Sequence, residues 1–254
     1  MQIRTVQWNI GGAHIRTPND DAGNAGSYAN ENLAYIFEKL SSYSPDIITL
    51  QESHADDSNS QAQLISEQLG LPYFVNDAYD ASHIAPGQKL CQSIISRFPI
   101  KDHSFSFFYN PHYRKIMEDG TEWKSHDKGI STVVVDVEGT ELIVQTLHLI
   151  PFRKFGIDTQ NEEGQKIVSS IEKLIEKERS PYLLQGDFNS PGVTLLLPNL
   201  ASAELYERGG DIPTTPKGRI YDHVLFRGLR QTKDTLIDSE TLTDHYPLIS
   251  QFEL

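Results

Sequence analysis

Short apolar runs rich in β-branched residues occur at eight places along the chain, and each predicts a β-strand. They span residues 3–9, 47–52, 92–97, 130–137, 141–148, 182–187, 221–226 and 247–252. The fourth and fifth runs are joined by Glu138-Gly139-Thr140, a sequence typical of a tight turn. These two runs therefore predict a β-hairpin.

Apolar residues recur at intervals of three and four in three other segments, which predicts amphipathic helices. The apolar positions are Leu33, Ile36, Phe37 and Leu40 in the first, Leu64, Ile65 and Leu69 in the second, and Ile167, Ile171, Leu174 and Ile175 in the third. Pro45 and Pro181 end the first and third helices, and Gly70 is placed to cap the second. Strands mixed with helices predict an α/β or α+β layered fold.

Three long polar segments, residues 11–29, 79–89 and 103–129, interrupt this pattern and are predicted to be loops. Loops of such length in a compact domain are usually functional or disordered. The third segment interleaves aromatic and basic residues, which can stack on bases and contact phosphates, cover an edge of the core or touch a lipid headgroup region. The sequence leaves these interpretations open. We find no repeat, low-complexity tract or linker, so residues 1–254 are expected to form one domain.

Composition and charge narrow the function classes. The chain has 254 residues, of which 38% are hydrophobic, and its net charge is −13. This charge argues against tight non-specific binding to a polyanion, but carboxylates that hold divalent cations can still recruit a phosphate. No run approaches the ~18 apolar residues of a membrane span, and the N-terminus lacks a signal-like core, so a cytoplasmic protein without a membrane span is expected. The single cysteine, Cys91, excludes an intrachain disulfide and cysteine-rich zinc sites.

Polar residues suited to chemistry fall at the ends of the predicted strands. Ligand crevices in open α/β sheets form at such ends. The residues are Asn9, Glu52, His148, Asp187, Asn189, Asp222, Asp244 and His245. Because several strand ends deliver carboxylate, amide and imidazole groups, we expect them to converge on one site. Six other histidines lie in polar segments and are expected at the surface; they are His14, His54, His83, His103, His112 and His126.

Eight short motifs follow one another between residues 8 and 248, each at the edge of an apolar run. They are WNI, LQE, SRFPI, DKG, TLH, GDFN, YDHVLF and DHYPL. In this order they resemble the endonuclease/exonuclease/phosphatase superfamily, which includes pancreatic deoxyribonuclease, abasic-site endonucleases, neutral sphingomyelinases and inositol polyphosphate 5-phosphatases. The resemblance implies a four-layer α/β/β/α sandwich, in which two packed mixed β-sheets are flanked by helices and the site lies at one edge.

The resemblance also implies a metal site built from Asn9, Glu52 and Asp244, with Glu52 a direct ligand of Mg²⁺ or Mn²⁺. Physical chemistry supports such an allocation. Hydrolysis of a phosphoester at neutral pH needs a nucleophile made from water and positive charge against the phosphoryl oxygens, and a hard cation supplies both. Mg²⁺ prefers a few carboxylates and keeps several waters.

The catalytic roles follow the resemblance in the same way. Asp187 would polarise or deprotonate the attacking water, and Asn189 would hold that water or a phosphate oxygen. His148 would act as general acid or phosphate ligand. Lys128 of the DKG motif lies where many members carry a basic residue.

His245 would contact the phosphate, with its ring fixed by Asp222. A histidine titrates near pH ~6.5, and a neighbouring carboxylate favours its cationic, phosphate-binding form.

The sequence departs from the family pattern just before SRFPI, where many nucleases carry a Tyr and other members an Asn. Gln88, Lys89 and Gln92 are the candidate substitutes there. Beyond TLH, Arg153 and Lys154 are placed to meet a second substrate phosphate.

The leading interpretation is a phosphodiesterase or nuclease that cleaves P–O bonds in nucleic acid or a nucleotide. The alternative is a phosphatase or phosphodiesterase for a small or lipid-linked phosphate of the sphingomyelin or inositol phosphate type. No obligate protein partner is indicated. The same metal and nucleophile serve both interpretations, so the motifs do not separate them.

Overall fold

Two six-stranded β-sheets lie at the centre of the computed structural model, which describes residues 1–117, 120–179, 181–203, 206–208 and 212–254. The strands in these ranges are β1 (Gln2–Asn9), β2 (His14–Ile15), β3 (Asn30–Glu31), β4 (Ile47–Ala55), β5 (Tyr73–Ala81), β6 (Lys89–Ser96), β7 (Ile100–Phe107), β8 (Arg114–Ile116), β9 (Glu122–Lys124), β10 (Gly129–Val137), β11 (Thr140–His148), β12 (Tyr182–Asp187), β13 (Tyr206–Arg208), β14 (Asp222–Arg227), β15 (Arg230–Ile237) and β16 (Leu248–Glu253). The α-helices are α1 (Leu33–Tyr43), α2 (Gln61–Leu69), α3 (Phe152–Phe155), α4 (Glu162–Leu174) and α5 (Val193–Leu196).

The two sheets are mixed and have related strand orders. The first sheet runs β15-β16-β1-β4-β6-β5 and the second runs β13-β14-β12-β11-β10-β7. Each contains one parallel pair, β1 with β4 and β11 with β12, among antiparallel neighbours. Parallel strands end at the same sheet edge, so Asn9 lies opposite Gln51 and His148 lies opposite Asp187. Strand β14 begins at that same edge, because Asp222 pairs with Asp187.

Four layers result from the packing of helices on the outer faces of the sheets. An apolar cluster that includes Val144 and Phe252 joins residues of both sheets and fills the space between them. Helices α1 and α2 pack on the first sheet through residues such as Leu40 and Ile65. Helix α4 packs on the second sheet through Ile171 and its neighbours. The expected four-layer α/β/β/α sandwich is therefore confirmed.

Polar side chains replace apolar ones between the sheets near the shared strand edge. Gln7 donates from Nε2 to Gln51 Oε1 at 2.7 Å, and Gln51 donates from Nε2 to Thr146 Oγ1 at 2.8 Å. Deeper in, Gln185 Nε2 donates to Thr5 Oγ1 at 2.9 Å. All five side chains are buried. Buried polar groups are stable when they are hydrogen-bonded, so this network ties the sheets together directly beneath the site.

The predicted elements are confirmed and their ends shift by a few residues. All eight predicted strands and all three predicted helices are present. Gly70 caps α2 with φ +65°. The turn between β10 and β11 uses Glu138 and Gly139, both with positive φ. Among the described residues, no helix is long and apolar enough to cross a membrane.

Two of the three predicted loops are in part strands, and those predictions are wrong. Residues 79–81 belong to β5, residue 89 begins β6, and residues 103–107 belong to β7. Strands β8 and β9, within the third segment, form a small hairpin of their own. The first segment, 11–29, contains only two short 3₁₀ turns and β2.

Candidate active site

Asp187, at the end of β12, is the buried centre of a group of hydrogen-bond donors. Asn9 Nδ2 donates to its Oδ2 at 3.0 Å, and the backbone N–H of Asn189 donates to its Oδ1 at 2.8 Å. The Nε2 atoms of His148 and His245 lie 3.4 Å and 3.8 Å from Oδ2. Burial raises the pKa of Asp187, while His245 opposes that rise. The result is a carboxylate more basic than an ordinary aspartate.

The turn after β12 fixes Asn189 relative to the carboxylate. Asn189 has φ +49°, a left-handed conformation that Asn tolerates better than most residues. Its Nδ2 donates to Leu149 O at 2.9 Å, and the N–H of Leu149 donates to Asp187 O at 2.9 Å. The ends of β11 and β12 are thus held together on both sides of the Asp187 side chain.

His245 is held by a carboxylate from the second sheet. Its Nδ1 lies 2.8 Å from Asp222 Oδ2, and the other oxygen of Asp222 accepts from Gln7 Nε2 at 3.0 Å. Trp8 Nε1 donates to the backbone oxygen of His245 at 3.0 Å. Burial lowers the pKa of His245, but Asp222 and Asp187 outweigh burial and hold it well above its usual value. The two carboxylates thus favour the cationic form of His245.

The pKa of His148 is shifted in the opposite direction to that of His245. Burial lowers its pKa well below the usual value, and the nearby cations Lys128 and His245 lower it further. The two imidazoles on either side of Asp187 therefore have pKa values shifted in opposite directions. Surroundings that shift the pKa values of two neighbouring groups in opposite directions are a feature of acid–base sites.

Glu52 leaves the regular geometry of β4 to face this site. The pairing of β4 with β6 shifts between Gln51 and Ser53, so Glu52 is the extra residue of a β-bulge. Its φ of +53° lies in the left-handed region, which costs a non-glycine residue about 1–2 kcal/mol. The bulge brings Glu52 Oε1 within 3.8 Å of His148 Nδ1. Such local strain is retained where the position of a side chain matters for function.

Glu52 and Lys128 shift each other's pKa. Burial raises the pKa of Glu52 to about 7, with Lys128 opposing the rise and Asp244 adding to it. Burial lowers the pKa of Lys128 to about 8, with Glu52 and Asp187 opposing the fall. Lys128 Nζ also donates to Leu149 O at 3.2 Å. Positive charge placed beside Glu52 would favour its ionised form.

Asn9 and Asp244 both approach the backbone at Gly11, and Asp244 also acts on the Glu52 carboxyl. Asn9 Oδ1 accepts from Gly11 N at 3.1 Å. Gly11 has φ +51°, and a Cβ built on it would lie 3.3 Å from Asp244 Oδ1, so the Asp244 side chain closely approaches the backbone after Asn9. Asp244 is exposed, and it raises the pKa of Glu52 through its negative charge. Two carboxylates and an amide oxygen make a donor set that suits a hard divalent cation.

One carboxylate–imidazole group in the described residues has metal-like spacing. One ligand atom from each of Asp187, Asp222 and His245 lies within 4.8 Å of the others. In this group, however, His245 Nδ1 is already bonded to Asp222, and Asp187 accepts from two amide groups. These contacts account for the cluster without an ion.

The structure thus brings together all nine candidate residues named from the sequence. The sequence reasoning missed Gln7, which holds Asp222. A signal was present, because Thr5, Gln7 and Asn9 alternate with apolar residues on β1 and so share one face of the strand.

Tyr79 was also missed, since it lies in a segment predicted to be a loop. It is buried on β5 where the pairing with β6 shifts, and its hydroxyl lies 3.4 Å from His148 Nδ1. A tyrosine therefore reaches the site from the strand next to the one expected. Gln92 and Lys89 do not replace it: Gln92 Nε2 donates to Ser131 Oγ between the sheets, and Lys89 Nζ pairs with Asp57.

His54 corrects the expectation that six histidines lie at the surface. It is 2% exposed, and its Nε2 lies 2.9 Å from Ser82 Oγ. Gly12 leaves room for its ring, because a Cβ there would come within 2.2 Å of His54 Cε1. Burial lowers the pKa of His54 to about 4, so it is neutral at pH ~7. The other five are half-buried or exposed.

Comparisons with known proteins agree with this fold. A family model described as Endonuclease/Exonuclease/phosphatase family matches residues 6–245. An endonuclease/exonuclease/phosphatase from Beutenbergia cavernae DSM 12333 superposes with a TM-score of 0.71 at 18% identity, over 100% of this chain and 72% of that chain. The human Nocturnin catalytic domain with bound sulfate anion superposes with a TM-score of 0.66 at 16% identity, over 99% of this chain and 93% of that chain. ANGEL2, a 2',3'-cyclic phosphatase in complex with adenosine-2',3'-vanadate, superposes with a TM-score of 0.63 at 14% identity, over 99% of this chain and 95% of that chain. No curated protein matches the chain.

Proposed function

Because the chain belongs to the endonuclease/exonuclease/phosphatase family, whose members hydrolyse phosphoester bonds, we propose that it is a Mg²⁺-dependent phosphodiesterase or nuclease. We also propose that residues 1–254 form one domain, since the family model spans 6–245. The observation that carries the proposal is the arrangement around Asp187. The buried Asp187 carboxylate lies between two imidazoles whose pKa values are shifted in opposite directions, and Glu52 lies beside one of them, His148.

The proposed metal site consists of Glu52, Asp244 and the amide oxygen of Asn9. Burial and the negative charge of Asp244 raise the pKa of the Glu52 carboxyl to about 7. A cation bound beside these carboxylates would lower that pKa again, so the residues fit a divalent cation. When bound, Mg²⁺ supplies positive charge against the phosphate oxygens and makes water more acidic. Mn²⁺ has the same preference for oxygen ligands.

The protein groups then divide the remaining work. Asp187 takes a proton from the attacking water, since burial makes its carboxylate a stronger base. Asn189 holds that water through its amide oxygen, while its Nδ2 is anchored on Leu149 O. His245, held cationic by Asp222, binds a phosphate oxygen. His148, whose pKa burial holds low, acts as a phosphate ligand or as the general acid that gives a proton to the leaving oxygen.

The proposed substrate is a nucleotide or a short nucleic acid. The net charge of −13 disfavours tight binding along a polymer, which needs many Lys and Arg contacts. One similar structure is a 2',3'-cyclic phosphatase bound to an adenosine vanadate, and another is named mannosyl-6-phosphatase from Bacteroides thetaiotaomicron. The second name keeps a small sugar phosphate as the competing substrate class.

The first testable prediction is that activity requires a divalent metal. We expect hydrolysis to vanish in EDTA and to return with Mg²⁺ or Mn²⁺. The measurement is a panel of single- and double-stranded DNA, RNA, mononucleotides, sphingomyelin, inositol phosphates, mannose 6-phosphate and bis-p-nitrophenyl phosphate. Full activity after metal removal would overturn the proposed mechanism, and a preference for sphingomyelin or sugar phosphates would overturn the proposed substrate class.

A further inference from the structure

A cleft of about 520 Å³ opens beside the proposed active site, on the side of the turn after β12. Asn189 and Tyr221 lie at its catalytic end, and the Tyr221 ring lies 6.2 Å from the His245 ring. Its walls combine apolar side chains with two guanidinium groups. These lining residues include Phe152, Ile157, Leu195, Leu196, Arg153 and Arg219. Leu195 is 81% exposed, so the cleft presents apolar surface to whatever enters it.

Arg153 and Arg219 are both exposed, and among the residues that the structure describes no carboxylate lies within 4.0 Å of either guanidinium. By contrast, Arg114, on the β8–β9 hairpin, pairs with Glu122 at 3.1 Å. In a chain of net charge −13, two unpaired arginines in one cleft are a local excess of positive charge.

Further cations extend this excess toward the catalytic residues. Lys154 follows Arg153 on α3, and its ammonium group lies over the ring of Trp123. Burial lowers the pKa of Lys154 to about 8, Glu52 opposes the fall, and Lys217 and Lys115 add to it. Among the described residues, no carboxylate contacts Lys154 to offset its repulsion from the other lysines. An anionic ligand would reduce this repulsion.

The backbone segments that carry the two arginines are connected to the catalytic strands. Helix α3, which carries Arg153, follows β11 after a few residues. Arg219 lies in a turn closed by hydrogen bonds from Thr214 N and Thr215 N to its backbone oxygen. The hydroxyl of Thr214 in turn accepts from Asp222 N at 3.2 Å. The cleft and the proposed active site are therefore parts of one frame.

We propose that this cleft binds a second, non-reacting phosphate group of the substrate through Arg153 and Arg219, with a ring of the substrate against the apolar wall. A guanidinium presents a planar fork that matches phosphate oxygens and forms strong charge-assisted hydrogen bonds. This inference rests on the proposed function, since it places the reacting phosphate at His245. It names the substrate class as a phosphodiester that carries a ring and a second phosphate group, such as a dinucleotide with a terminal phosphate.

The test is calorimetric binding to the full chain with excess Mg²⁺, using thymidine 5'-monophosphate and thymidine 3',5'-bisphosphate as probes. We expect the wild type to bind the bisphosphate at least about tenfold more tightly, the equivalent of one added charge-assisted contact. Arg153→Gln and Arg219→Gln should each lower this ratio, and the double variant should bring it close to one. Arg114→Gln, in which a paired arginine changes, is the matched control and should leave the ratio unchanged.

Each outcome decides the proposal. A wild-type ratio below about two would overturn it, as would an equal loss in the Arg114→Gln control, which would indicate a general charge effect. Inositol 1,4-bisphosphate is a second probe, because it carries two phosphates on a polar ring; tighter binding of this probe than of the thymidine bisphosphate would overturn the ring assignment. Since binding is measured directly, a failure of hydrolysis in the panel would contradict the proposed function without affecting the binding ratio.

Discussion

Replacement of Asp187 by Asn is expected to lower kcat by about 10²–10⁴-fold while leaving the fold intact. The amide keeps the shape of the side chain but cannot accept the proton of the attacking water. The substitution also removes a negative charge that raises the pKa of His245 against the effect of burial. Asp187 lies at a strand end and its contacts with Asn9 and Asn189 are polar, so the apolar core is not disturbed. The measurements are kcat on the best panel substrate and the thermal midpoint.

His245→Ala should cost about 10²–10³-fold in kcat, because it removes a cationic phosphate contact. The double variant with Asp187→Asn should lose much less than the product of the two single effects, since both residues act on one transition state. His103→Ala is the matched control. His103 pairs with Asp77 at 2.9 Å, as His245 pairs with Asp222, but on the exposed strand β7. If a single variant keeps more than about a tenth of wild-type kcat, its residue is outside the catalytic centre.

The strands that the sequence predicted are those that the fold buries. Strands β1, β4, β10, β11 and β12 lie inside the sheets and read as apolar runs. The long strands that the sequence did not predict, β5, β7 and β15, are edge strands. Their residues are mostly half-buried or exposed, as in KDHSF of β7. An edge strand has only one neighbour and exposes its polar side chains, so its sequence resembles that of a loop.

The site was predictable to the extent that it follows from strand ends. Asn9, His148 and Asp187 terminate parallel pairs, and their convergence follows from the sheet edge. The orientation of Glu52 did not follow, because a bulge that adds one residue to β4 has no signature in LQES. Tyr79 was missed for a related reason, since it belongs to a polar edge strand whose pairing also shifts. Irregular pairing depends on tertiary packing, which local patterns do not encode.

Glu52→Gln is expected to abolish most activity, by about 10²-fold or more, and yet to stabilise the metal-free protein above pH ~7. In the folded chain, burial raises the pKa of Glu52 from 4.5 to about 7. Between these two values the folded state binds the proton more tightly than the unfolded state does. The free energy of unfolding of the wild type therefore falls as pH rises through this window, and the penalty is complete above pH ~7.

The glutamine carries no such penalty, so the variant and the wild type should be equally stable below pH ~4.5 and should diverge at higher pH. We expect a gain of about 1–2 kcal/mol at pH ~8, less than the full shift corresponds to, because Lys128 loses its strongest opposing charge. The measurement is urea unfolding in EDTA at both pH values. Glu67→Gln, at an exposed position on α2, is the control and should change neither stability nor activity.

Metal binding should reverse the order of stability. Excess Mg²⁺ should raise the thermal midpoint of the wild type, because a ligand that binds only the folded state stabilises it, and should leave that of Glu52→Gln unchanged. This readout separates a ligand of the metal from a residue that only shapes the site. An equal midpoint shift in both proteins would place the cation away from Glu52, beside the Asp187, Asp222 and His245 cluster, which has metal-like spacing. Equal stability of the two metal-free proteins at pH ~8 would contradict the assigned burial of the Glu52 carboxylate.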